Sequence, residues 1–466
     1  MLEFKELGGD LAEIERHIKK YGGEFCDLSL GVRYMWRDDF KVDYALFDGV
    51  LIMKETSRDY KDAFYYPLGE DEEGALNEIE KYCKEKEKPL LFCCLDNARA
   101  SALSKRYFSV SITNDRDWSD YIYSAEKFKT YSGKKYSGQR NHVNKFKKLY
   151  PNYRFKKIEK TDLPRIKEFL MEFNNKTEFL RWSEKVEQEK VFDLVNKIEE
   201  LYQVGGLIEV DGKVIAFSVG EKIGDVLIVH VEKAFRQYEG VYPTMAQEFA
   251  KAFASEEIKF INREEDCGDE GLRISKLQYG PVDVKEKNFV RVKTLFDKIS
   301  APILIKTERL TISDIAPEDK ENYYKLYTDE NLNKWWGYDY QEDLKGQTAS
   351  PEYFYKFQQS LKEVKEEYAL AVKKDDIMIG ELVLHNFDYF GGVEIGFRFF
   401  KDYQGQGYAL ESAGAIKEFA FGVLGAKKVK SRCYKENLPS KKLIERLGLK
   451  KCDEDGTHYY FAIDSE

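Results

Sequence analysis

The sequence has few of the residues on which metal and disulfide proteins depend. Its 466 residues include seven cysteines and five histidines. The cysteines form no CxxC pair, and with so few histidines they give no zinc-ligand spacing, so the sequence predicts no metal site. Scattered cysteines with mostly apolar neighbours indicate free thiols and a reducing, cytoplasmic location.

Long apolar runs are also missing. No run approaches the ~20 residues of a membrane-spanning helix, and the first seven residues mix acidic with apolar side chains, unlike a signal peptide. The net charge of −9 argues against a dedicated nucleic-acid-binding protein. What the chain does have is 15% aromatic and 34% charged residues, which is typical of a soluble globular protein with ample material for its cores.

One stretch departs from the acidic balance. From Lys127 to Lys160 there are twelve Lys and Arg residues and one Glu. Val143, Phe146 and Leu149 fall at helical spacing inside it, so an amphipathic helix with a solvated basic face is the simpler interpretation. The alternative is a surface for an anionic partner, either tRNA phosphates or anionic lipid head groups.

The length predicts about three domains, at roughly 150 residues each. Predicted helices and strands alternate, which indicates an α/β (α+β) protein with mixed sheets. We place the segments at residues 1–118, 119–297 and 303–466, with a short linker around 298–302. Asp-Gly pairs at 48–49, 211–212 and 455–456 predict three hairpins.

The most informative stretch is residues 393–420. An alternating strand pattern ends near residue 399, and helical spacing runs from 410 to 420. Between them, Gly405 and Gly407 allow consecutive backbone N–H groups to converge on one point at a helix N-terminus. Such a turn typically binds a phosphate or pyrophosphate group. A plain strand-to-helix turn is the alternative.

Residues on both sides of this turn extend the pattern. Upstream stands Val393-Glu394-Ile395-Gly396-Phe397; downstream stand Asn437-Leu438-Pro439-Ser440 and Leu443-Ile444-Glu445-Arg446-Leu447-Gly448-Leu449. In this order and spacing the motifs resemble the GNAT N-acetyltransferases, most closely their ribosomal-protein and amino-sugar branch, over Ile303 to Ile463. The resemblance implies an acyltransferase that moves acetyl from acetyl-CoA to a primary amine of a small molecule or peptide by direct attack.

The resemblance also implies which residues hold acetyl-CoA. The loop backbone would bind the pyrophosphate, the end of the preceding strand would pair with pantetheine, and a downstream asparagine would lie beside it. The implied cofactor-binding residues are Phe399, Phe400, Gln404, Gly405, Gln406, Gly407, Tyr408, Ala409 and Asn437. Helix capping is an open alternative for Asn437 and Ser440.

Acetyl transfer also requires a base. Strand alternation places Glu394, Gly396 and Arg398 on one face, where the Glu394 carboxylate could take the amine proton, directly or through water. A salt bridge to a neighbouring Arg or Lys is the alternative role. Glu381 and His385, on the preceding strand, are reserve candidates.

The sequence motifs identify the general acid and the acceptor pocket less directly. Many relatives carry a Tyr seven residues after the asparagine, but here that position is Ile444. Tyr434, Ser440 or solvent would then return a proton to the thiolate. We expect Trp335, Trp336, Tyr338 and His385 to line the acceptor pocket; a hydrophobic lid packed on the core is the alternative.

A second resemblance covers residues 1–297. It is carried by Ser132-Gly-Lys-Lys-Tyr136, Arg140-Asn141-His142, Asn262-Arg263-Glu264, Gly271-Leu272-Arg273, Ser275-Lys276, Tyr279 and Pro281. These residues resemble an uncharacterised bacterial family grouped with the C-terminal domain of phosphatidylglycerol lysyltransferases. The resemblance implies two GNAT-like folds in tandem, as in the Fem-type aminoacyl transferases, so the whole chain would contain three GNAT-like units.

The second segment shows no pyrophosphate loop of its own. Where an acetyl-CoA-binding repeat would carry its glycine turn, after Val231, the sequence has one glycine, Gly240. It would therefore use another donor, such as aminoacyl-tRNA, or have lost catalysis. Two alternatives to the N-acetyltransferase stay open: an aminoacyl or lysyl transferase in residues 1–297, and a non-enzymatic acetyl-CoA sensor.

Overall fold

The computed structural model describes residues 2–8, 11–57, 59–175, 182–336, 340–344 and 346–465. It contains two compact units. The N-terminal unit comprises residues 1–102 and 112–291, and the C-terminal unit comprises residues 103–111 and 292–466. Three mixed sheets with flanking helices confirm the predicted α/β class. Tyr338 lies outside the described residues.

The N-terminal part of the chain builds two seven-stranded sheets. Its strands are β1 (Lys5–Glu6), β2 (Lys41–Phe47), β3 (Val50–Thr56), β4 (Ala63–Phe64), β5 (Leu91–Leu95), β6 (Ser109–Asn114), β7 (Asp120–Ser124), β8 (Arg154–Lys157), β9 (Val204–Val210), β10 (Lys213–Ile223), β11 (Val226–Ala234), β12 (Phe260–Asn262), β13 (Asp283–Lys285) and β14 (Asn288–Lys293). The first sheet has the order β1-β2-β3-β4-β5-β14-β6 and the second β13-β7-β12-β11-β10-β9-β8.

Ten α-helices accompany these strands in the described residues. They are α1 (Leu11–His17), α2 (Leu30–Met35), α3 (Glu72–Glu85), α4 (Asn97–Arg106), α5 (Ala125–Thr130), α6 (Ser137–Leu149), α7 (Leu163–Asn175), α8 (Trp182–Asn196), α9 (Val241–Phe253) and α10 (Glu270–Gln278). Helix α6 confirms the helix predicted in the basic stretch: Val143 and Phe146 are buried, whereas Leu149 stays half exposed.

The C-terminal unit contains one eight-stranded sheet, in the order β15-β16-β17-β18-β19-β20-β22-β21. Its strands are β15 (Leu304–Lys306), β16 (Thr311–Asp314), β17 (Glu367–Lys374), β18 (Ile377–His385), β19 (Gly392–Phe399), β20 (Lys428–Tyr434), β21 (Lys450–Glu454) and β22 (His458–Asp464). Its helices are α11 (Lys320–Thr328), α12 (Glu330–Asn333), α13 (Tyr340–Asp343), α14 (Pro351–Glu363), α15 (Tyr408–Gly422) and α16 (Leu438–Arg446).

Each face of the C-terminal sheet buries its own core. On one face, Val393 and Ile395 belong to a cluster with Ile416 and Ala420 of α15. On the other, α11 and α14 pack against small residues of β17 and β18. Alternation along β19 therefore sends apolar side chains to the α15 face and Glu394, Gly396 and Arg398 to the α11 face, as predicted.

Local sequence signals agree with these elements. All three Asp-Gly pairs turn hairpins, between β2 and β3, β9 and β10, and β21 and β22, which confirms those predictions. All seven cysteines carry free thiols. Within the described residues, no helix combines the length and the apolar content needed to cross a bilayer.

Candidate active site

The turn between β19 and α15 is open and rich in backbone donors. Gly405 and Gly407 adopt the left-handed region, with φ of 74° and 86°. Gly407 is the N-cap of α15, and no side chain caps the helix. In the described part of the chain, no acceptor is hydrogen-bonded to the N–H groups of residues 405–409. Five consecutive free donors at a helix N-terminus form a site for an anion.

Arg309, which the sequence pattern did not mark, lies beside this turn. Its Nη1 donates to the carbonyl of Gln406 at 3.0 Å, and its guanidinium lies 4.6 Å from the Tyr408 ring. Glu411, in the first turn of α15, accepts from Arg309 Nε at 2.7 Å. A Cβ at Gly407 would lie 3.2 Å from Arg309 Nη2, so a side chain at Gly407 would enter the space beside the guanidinium.

Strands β19 and β20 separate close to the predicted base. They pair in parallel for three residues, and the last pair is Glu394 with Lys430. Beyond it β19 stays paired with β18 as far as Phe399, but among the residues that the structure describes its other edge has no strand partner. The Ser431 hydroxyl donates to the carbonyl of Ile395 at 2.9 Å and closes the narrow end of the gap. The remaining free edge could pair with an extended chain such as pantetheine.

Glu394 lies at this point of separation and is more enclosed than its predicted open face suggested. Its side chain is 12% exposed. Asn386 Nδ2 donates to Oε2 at 2.9 Å, and Arg432 Nε lies 3.3 Å from Oε1. His385 Nε2 is 3.9 Å from the same oxygen. The structure therefore contains the alternative, an ion pair between Glu394 and Arg432, and the role of Glu394 as a base stays a prediction.

A row of ionisable side chains crosses three strands here. Glu367 on β17 pairs with His385 on β18, which pairs with Glu394 on β19. Burial lowers the pKa of His385, so the ring is neutral at neutral pH. Burial, followed by repulsion from Glu381, raises the pKa of Glu367 to about 7. Glu367 was not identified from the sequence, because Glu381 and Arg398, which influence its pKa, lie on the following two strands of the sheet.

Glu381, a reserve base, serves another purpose. It accepts from Arg398 Nε at 2.7 Å, and both side chains are buried. Arg398 Nη1 donates to Asn333 Oδ1 at 2.9 Å, and the guanidinium lies 4.8 Å from the Trp336 ring. The pair thus holds the segment that carries the acceptor-side aromatic residues, and it engages one oxygen of the Glu381 carboxylate.

Trp336 lies directly on the sheet. A Cβ at Gly396 would be 2.8 Å from the Trp336 ring, so the glycine is what allows the indole to approach β19. Trp335 contacts Tyr434 instead, with ring centroids 6.1 Å apart. The structure therefore brings Trp336 to the sheet face that carries Glu394, as the pocket hypothesis requires, and Trp336 also packs against the core of that face.

The downstream residues act first as a helix cap. Asn437 is the N-cap of α16, and its Oδ1 accepts from the Ser440 N–H at 3.2 Å. Ile444 is completely buried in the core. Tyr434 ends β20, half-buried, on the same face as Arg432. The capping alternative is therefore observed for Asn437.

Side chains of the loop stabilise its own backbone. Gln404 Nε2 donates to the carbonyl of Phe399 at 2.9 Å, and Gln406 Nε2 donates to that of Asp402 at 2.8 Å. Phe400 N–H donates to Ile379 at 3.1 Å, which ties the end of β19 to β18. These bonds hold the loop while leaving the N–H groups of residues 405–409 available.

The N-terminal unit contains a turn of similar backbone. Strands β11 and β12 pair in parallel for three residues, ending with Ile228 and Asn262. Gly240 is the N-cap of α9 with φ of 83°, again without a side-chain cap. However, a Cβ at Gly240 would overlap the His142 carbonyl oxygen of α6. The Glu232–Arg263 ion pair (2.9 Å) joins β11 to the residue after β12.

A cavity of about 2020 Å³ lies in the N-terminal unit. Its wall includes His230, whose Nδ1 lies 2.7 Å from Glu264 Oε1. Burial would lower the pKa of His230, but its carboxylate contacts outweigh burial and raise it to about 9. Lys276 donates to the Arg263 carbonyl at 2.5 Å, and burial lowers its pKa.

Four potential metal ligands beside this cavity already surround a lysine. Cys26, Asp27, Asp120 and Glu265 place their ligand atoms within 4.8 Å of one another. Lys287 Nζ contacts all four, at 2.8 Å from both Asp120 and Glu265. The ammonium group supplies the positive charge that these carboxylates require.

Comparisons with known proteins match the two parts of the chain to two different family models. A model of the acetyltransferase (GNAT) domain matches residues 309–450, and a model of the phosphatidylglycerol lysyltransferase C-terminal domain matches residues 19–290. The uncharacterized N-acetyltransferase YnaD of Bacillus subtilis (strain 168) is 30% identical over 176 residues, covering 35% of this chain and 97% of YnaD. The uncharacterized N-acetyltransferase p20 of Bacillus licheniformis is 25% identical over 146 residues, covering 31% and 81%.

A solved structure resembles the larger part of the chain. It is a conserved protein of unknown function from Bacteroides thetaiotaomicron VPI-5482, with 29% identity and a TM-score of 0.58, covering 63% of this chain and 100% of that one. The separated strands, the open turn and the matching models define the C-terminal unit as a GNAT acetyltransferase domain. The chain as a whole belongs to the phosphatidylglycerol lysyltransferase C-terminal family, whose model covers more than half of it.

Proposed function

We propose that the chain is an acetyl-CoA-dependent N-acetyltransferase that transfers acetyl to a primary amine by direct attack. One observation carries the proposal: Glu394 lies at the point where β19 and β20 separate, and the same strand leads to five free N–H groups at residues 405–409. The backbone that would bind acetyl-CoA and the carboxylate that would act as the base thus belong to the same strand and the turn that follows it.

The residues present fit acetyl-CoA. The N–H groups of residues 405–409 would hold the pyrophosphate, with the left-handed glycines leaving the backbone accessible. The free edge of β19 would pair with pantetheine. When bound, acetyl-CoA supplies a thioester whose carbonyl carbon is open to an amine.

Glu394 would remove the proton that an ammonium group must lose before attack. Asn386 fixes one oxygen by donating to Oε2, while the other faces Arg432, whose side chain is 47% exposed. In the transfer a C–N bond replaces the C–S bond: Glu394 takes the ammonium proton before attack, the attacking nitrogen gives its surplus proton to water, and the thiolate receives a proton from Tyr434, Ser440 or solvent. No covalent enzyme intermediate is needed.

The test combines binding and turnover on the full chain. Calorimetry should show one acetyl-CoA bound per chain, and amines should release CoA thiol. Glu394→Gln should bind acetyl-CoA normally but lose turnover by about 10²–10⁴-fold, the usual contribution of a general base. The exposed Glu436→Gln is the matched control. No acetyl-CoA binding would end the proposal; binding without thiol release from any amine would favour a sensor; full Glu394→Gln turnover at all pH values would remove the base assignment.

A second candidate function concerns the N-terminal unit. Its family and its cavity of about 2020 Å³, lined by buried charged groups, support an aminoacyl transferase with an aminoacyl-tRNA donor. The basic helix α6 would meet the tRNA phosphates. Binding of tRNA should then weaken steeply with salt; salt-independent binding, or none, would exclude this donor.

Three further proposals concern the segment boundaries, the cellular location and the acceptor contacts. We propose functional segments at 1–118, 119–297 and 303–466. The third contains one complete eight-stranded sheet, whereas β14 of the second segment joins the sheet of the first. Seven free thiols support a cytoplasmic location. Trp336 and His385 are proposed to contact the acceptor, because both lie on the Glu394 face of the sheet.

A further inference from the structure

The arginine beside the candidate base has an open guanidinium group. Arg432 Nε lies 3.3 Å from Glu394 Oε1, and the Arg432 side chain is 47% exposed. Among the described residues, Glu394 is the one carboxylate in ion-pair contact with Arg432, and no acceptor is hydrogen-bonded to Arg432 Nη1 or Nη2. These two terminal nitrogens form the planar pair of donors that matches a carboxylate, and they are available to a ligand.

The other groups around Glu394 carry no positive charge to its carboxylate. His385 Nε2 is 3.9 Å from Oε1, but burial lowers the pKa of the ring, which is neutral at neutral pH. Asn386 donates to Oε2 through a neutral amide. Lys430, two residues before Arg432 on β20, is paired with Asp388 at 2.5 Å. The guanidinium group is therefore the cation that balances the candidate base.

An ammonium group that reaches the base would compete with this guanidinium group. Because Asn386 holds Oε2, the ammonium group approaches Oε1, the oxygen that faces Arg432. Displacement would leave Arg432 without its ion-pair partner beside a largely buried carboxylate, and an unpaired charge there costs free energy. A carboxylate on the acceptor offsets this cost, because it pairs with Arg432 while the ammonium group pairs with Glu394. The site then contains two ion pairs, and its net charge is unchanged.

The short distance between the two side chains limits the spacing of the acceptor's charges. Arg432 Nε and Glu394 Oε1 are 3.3 Å apart, so groups that bind both side chains must lie close together. In an α-amino acid the amine and the carboxylate are bonded to the same carbon, which places the nitrogen about 2.5 Å from the carboxylate carbon. This arrangement matches adjacent partners, whereas a longer spacer would require Arg432 to move away from Glu394.

We propose that the acceptor is a free α-amino acid, whose carboxylate binds the terminal nitrogens of Arg432 while its amine is acetylated beside Glu394. This inference rests on the proposed acetyltransferase function and names its substrate class. Arg432 then determines specificity and takes no part in proton transfer. The acetyl group moves from the sulfur of CoA to the α-nitrogen, and the carboxylate of the amino acid is unchanged.

The experiment measures acetyl-CoA-dependent CoA release by the full chain with matched pairs of probes. The probes are glycine, L-alanine, L-leucine and L-phenylalanine, each tested beside its α-carboxamide, which keeps the amine and the side chain but has no negative charge. The best amino acid should give a higher kcat/KM than its own amide. The competing acceptors 1,4-diaminobutane and glucosamine are tested in parallel, since Asp455, ionised and bonded to Tyr460 Oη at 2.6 Å, could hold a second ammonium group.

Variants of Arg432 distinguish carboxylate binding from a structural role. Arg432→Gln should raise the KM for the best amino acid about 10-fold to 100-fold, the loss expected for charge-assisted hydrogen bonds to a carboxylate. The KM for the matching amide should stay the same or fall, because no guanidinium group then competes for Glu394. Arg432→Lys keeps the charge without the planar pair of donors and should give a smaller increase. Arg446→Gln, exposed on α16, is the matched control and should change neither KM.

Three results would overturn the inference. A higher kcat/KM for the diamine or glucosamine than for every amino acid would do so, as would no CoA release with any of the four amino acids although acetyl-CoA binds. An equal rise in KM for the amino acid and its amide in Arg432→Gln would show that Arg432 does not bind the carboxylate. By contrast, failure to bind acetyl-CoA would overturn the proposed function itself, and this inference with it.

Discussion

The turns before α15 and α9 have nearly the same backbone but different surroundings. Gly407 and Gly240 are both helix N-caps with φ near 85° (86° and 83°), and neither helix has a side-chain cap. Each follows a parallel strand pair that separates after three residues. At Gly407 the space in front is open apart from Arg309, whereas at Gly240 it is filled by the backbone of α6.

The gaps between the separating strands also differ between the two units, both in the residue where the gap begins and in the contact that crosses it. The last paired residue before the gap is Glu394 in the C-terminal unit and Ile228, fully buried, in the N-terminal unit. Beyond it, one gap is joined by a single serine hydroxyl and the other by the Glu232–Arg263 ion pair. The two turns therefore share a backbone geometry, and the C-terminal turn combines it with open space beside its glycine and with the Glu394 carboxylate at the strand gap.

The comparison is tested most strongly at Gly407. Gly407→Val places a branched side chain at φ of 86° and beside Arg309. Disturbing two charge-assisted hydrogen bonds, each worth about 1.5–3 kcal/mol, should weaken acetyl-CoA binding by at least about 100-fold in calorimetry. Gly212→Val, at φ of 80° in an open hairpin of the other unit, is the control and should bind normally. Unchanged affinity of Gly407→Val would show that the donor does not use this turn.

Gly240 should show the opposite behaviour. Gly240→Ala combines left-handed strain with overlap on α6, and should cost about 2–5 kcal/mol of unfolding free energy while leaving acetyl-CoA affinity unchanged. Gly212→Ala has the same strain in open space and should cost only about 1–2 kcal/mol. Chemical denaturation monitored by circular dichroism measures both. If Gly240→Ala weakened acetyl-CoA binding instead, the two turns would not have separate roles.

The buried carboxylates beneath α11 predict a pH effect from the C-terminal unit. Burial raises the Glu367 pKa from 4.5 to about 7, so the folded state keeps a proton that the unfolded state releases. This contribution to stability is fully present below pH 4.5 and is lost as pH rises to about 7. Glu367→Gln should flatten the melting temperature over this window. The exposed Glu363→Gln should keep the wild-type slope; equal slopes for both variants would contradict the assignment.

The prediction with the smallest effect concerns the protonation state of one histidine in each unit, which NMR spectroscopy can measure. His230, held by Glu221 and Glu264, has its pKa raised to about 9, whereas burial lowers the pKa of His385. In ¹³C-histidine NMR, His230 should stay protonated at pH 7.5 and titrate near 9, and His385 should stay neutral at that pH. His230→Gln and His385→Gln assign the two signals. A neutral His230 at pH 7.5 would contradict the carboxylate contacts in the cavity wall.

Much of the C-terminal fold was predictable from local signals. Alternation placed Glu394 and Arg398 on one face because side chains alternate along a strand. Asp-Gly pairs marked the hairpins of both units, and at 48–49 and 211–212 both residues adopt the left-handed φ that such turns require. Glycines at 405 and 407 marked the turn for the same conformational reason. The partners of these residues were not predictable: Arg309 reaches the turn from about a hundred residues away, and Asn333 reaches Arg398 from α12.

The sequence by itself determined the strand–turn–helix order, the glycines that shape both turns, and the family to which the chain belongs, because each depends on residues close together along the chain. Tertiary structure decided which turn is open, how far Glu394 is enclosed, and that Glu381 is paired with Arg398. Free space and buried charge depend on which distant segments pack against a residue, and no local pattern encodes that packing.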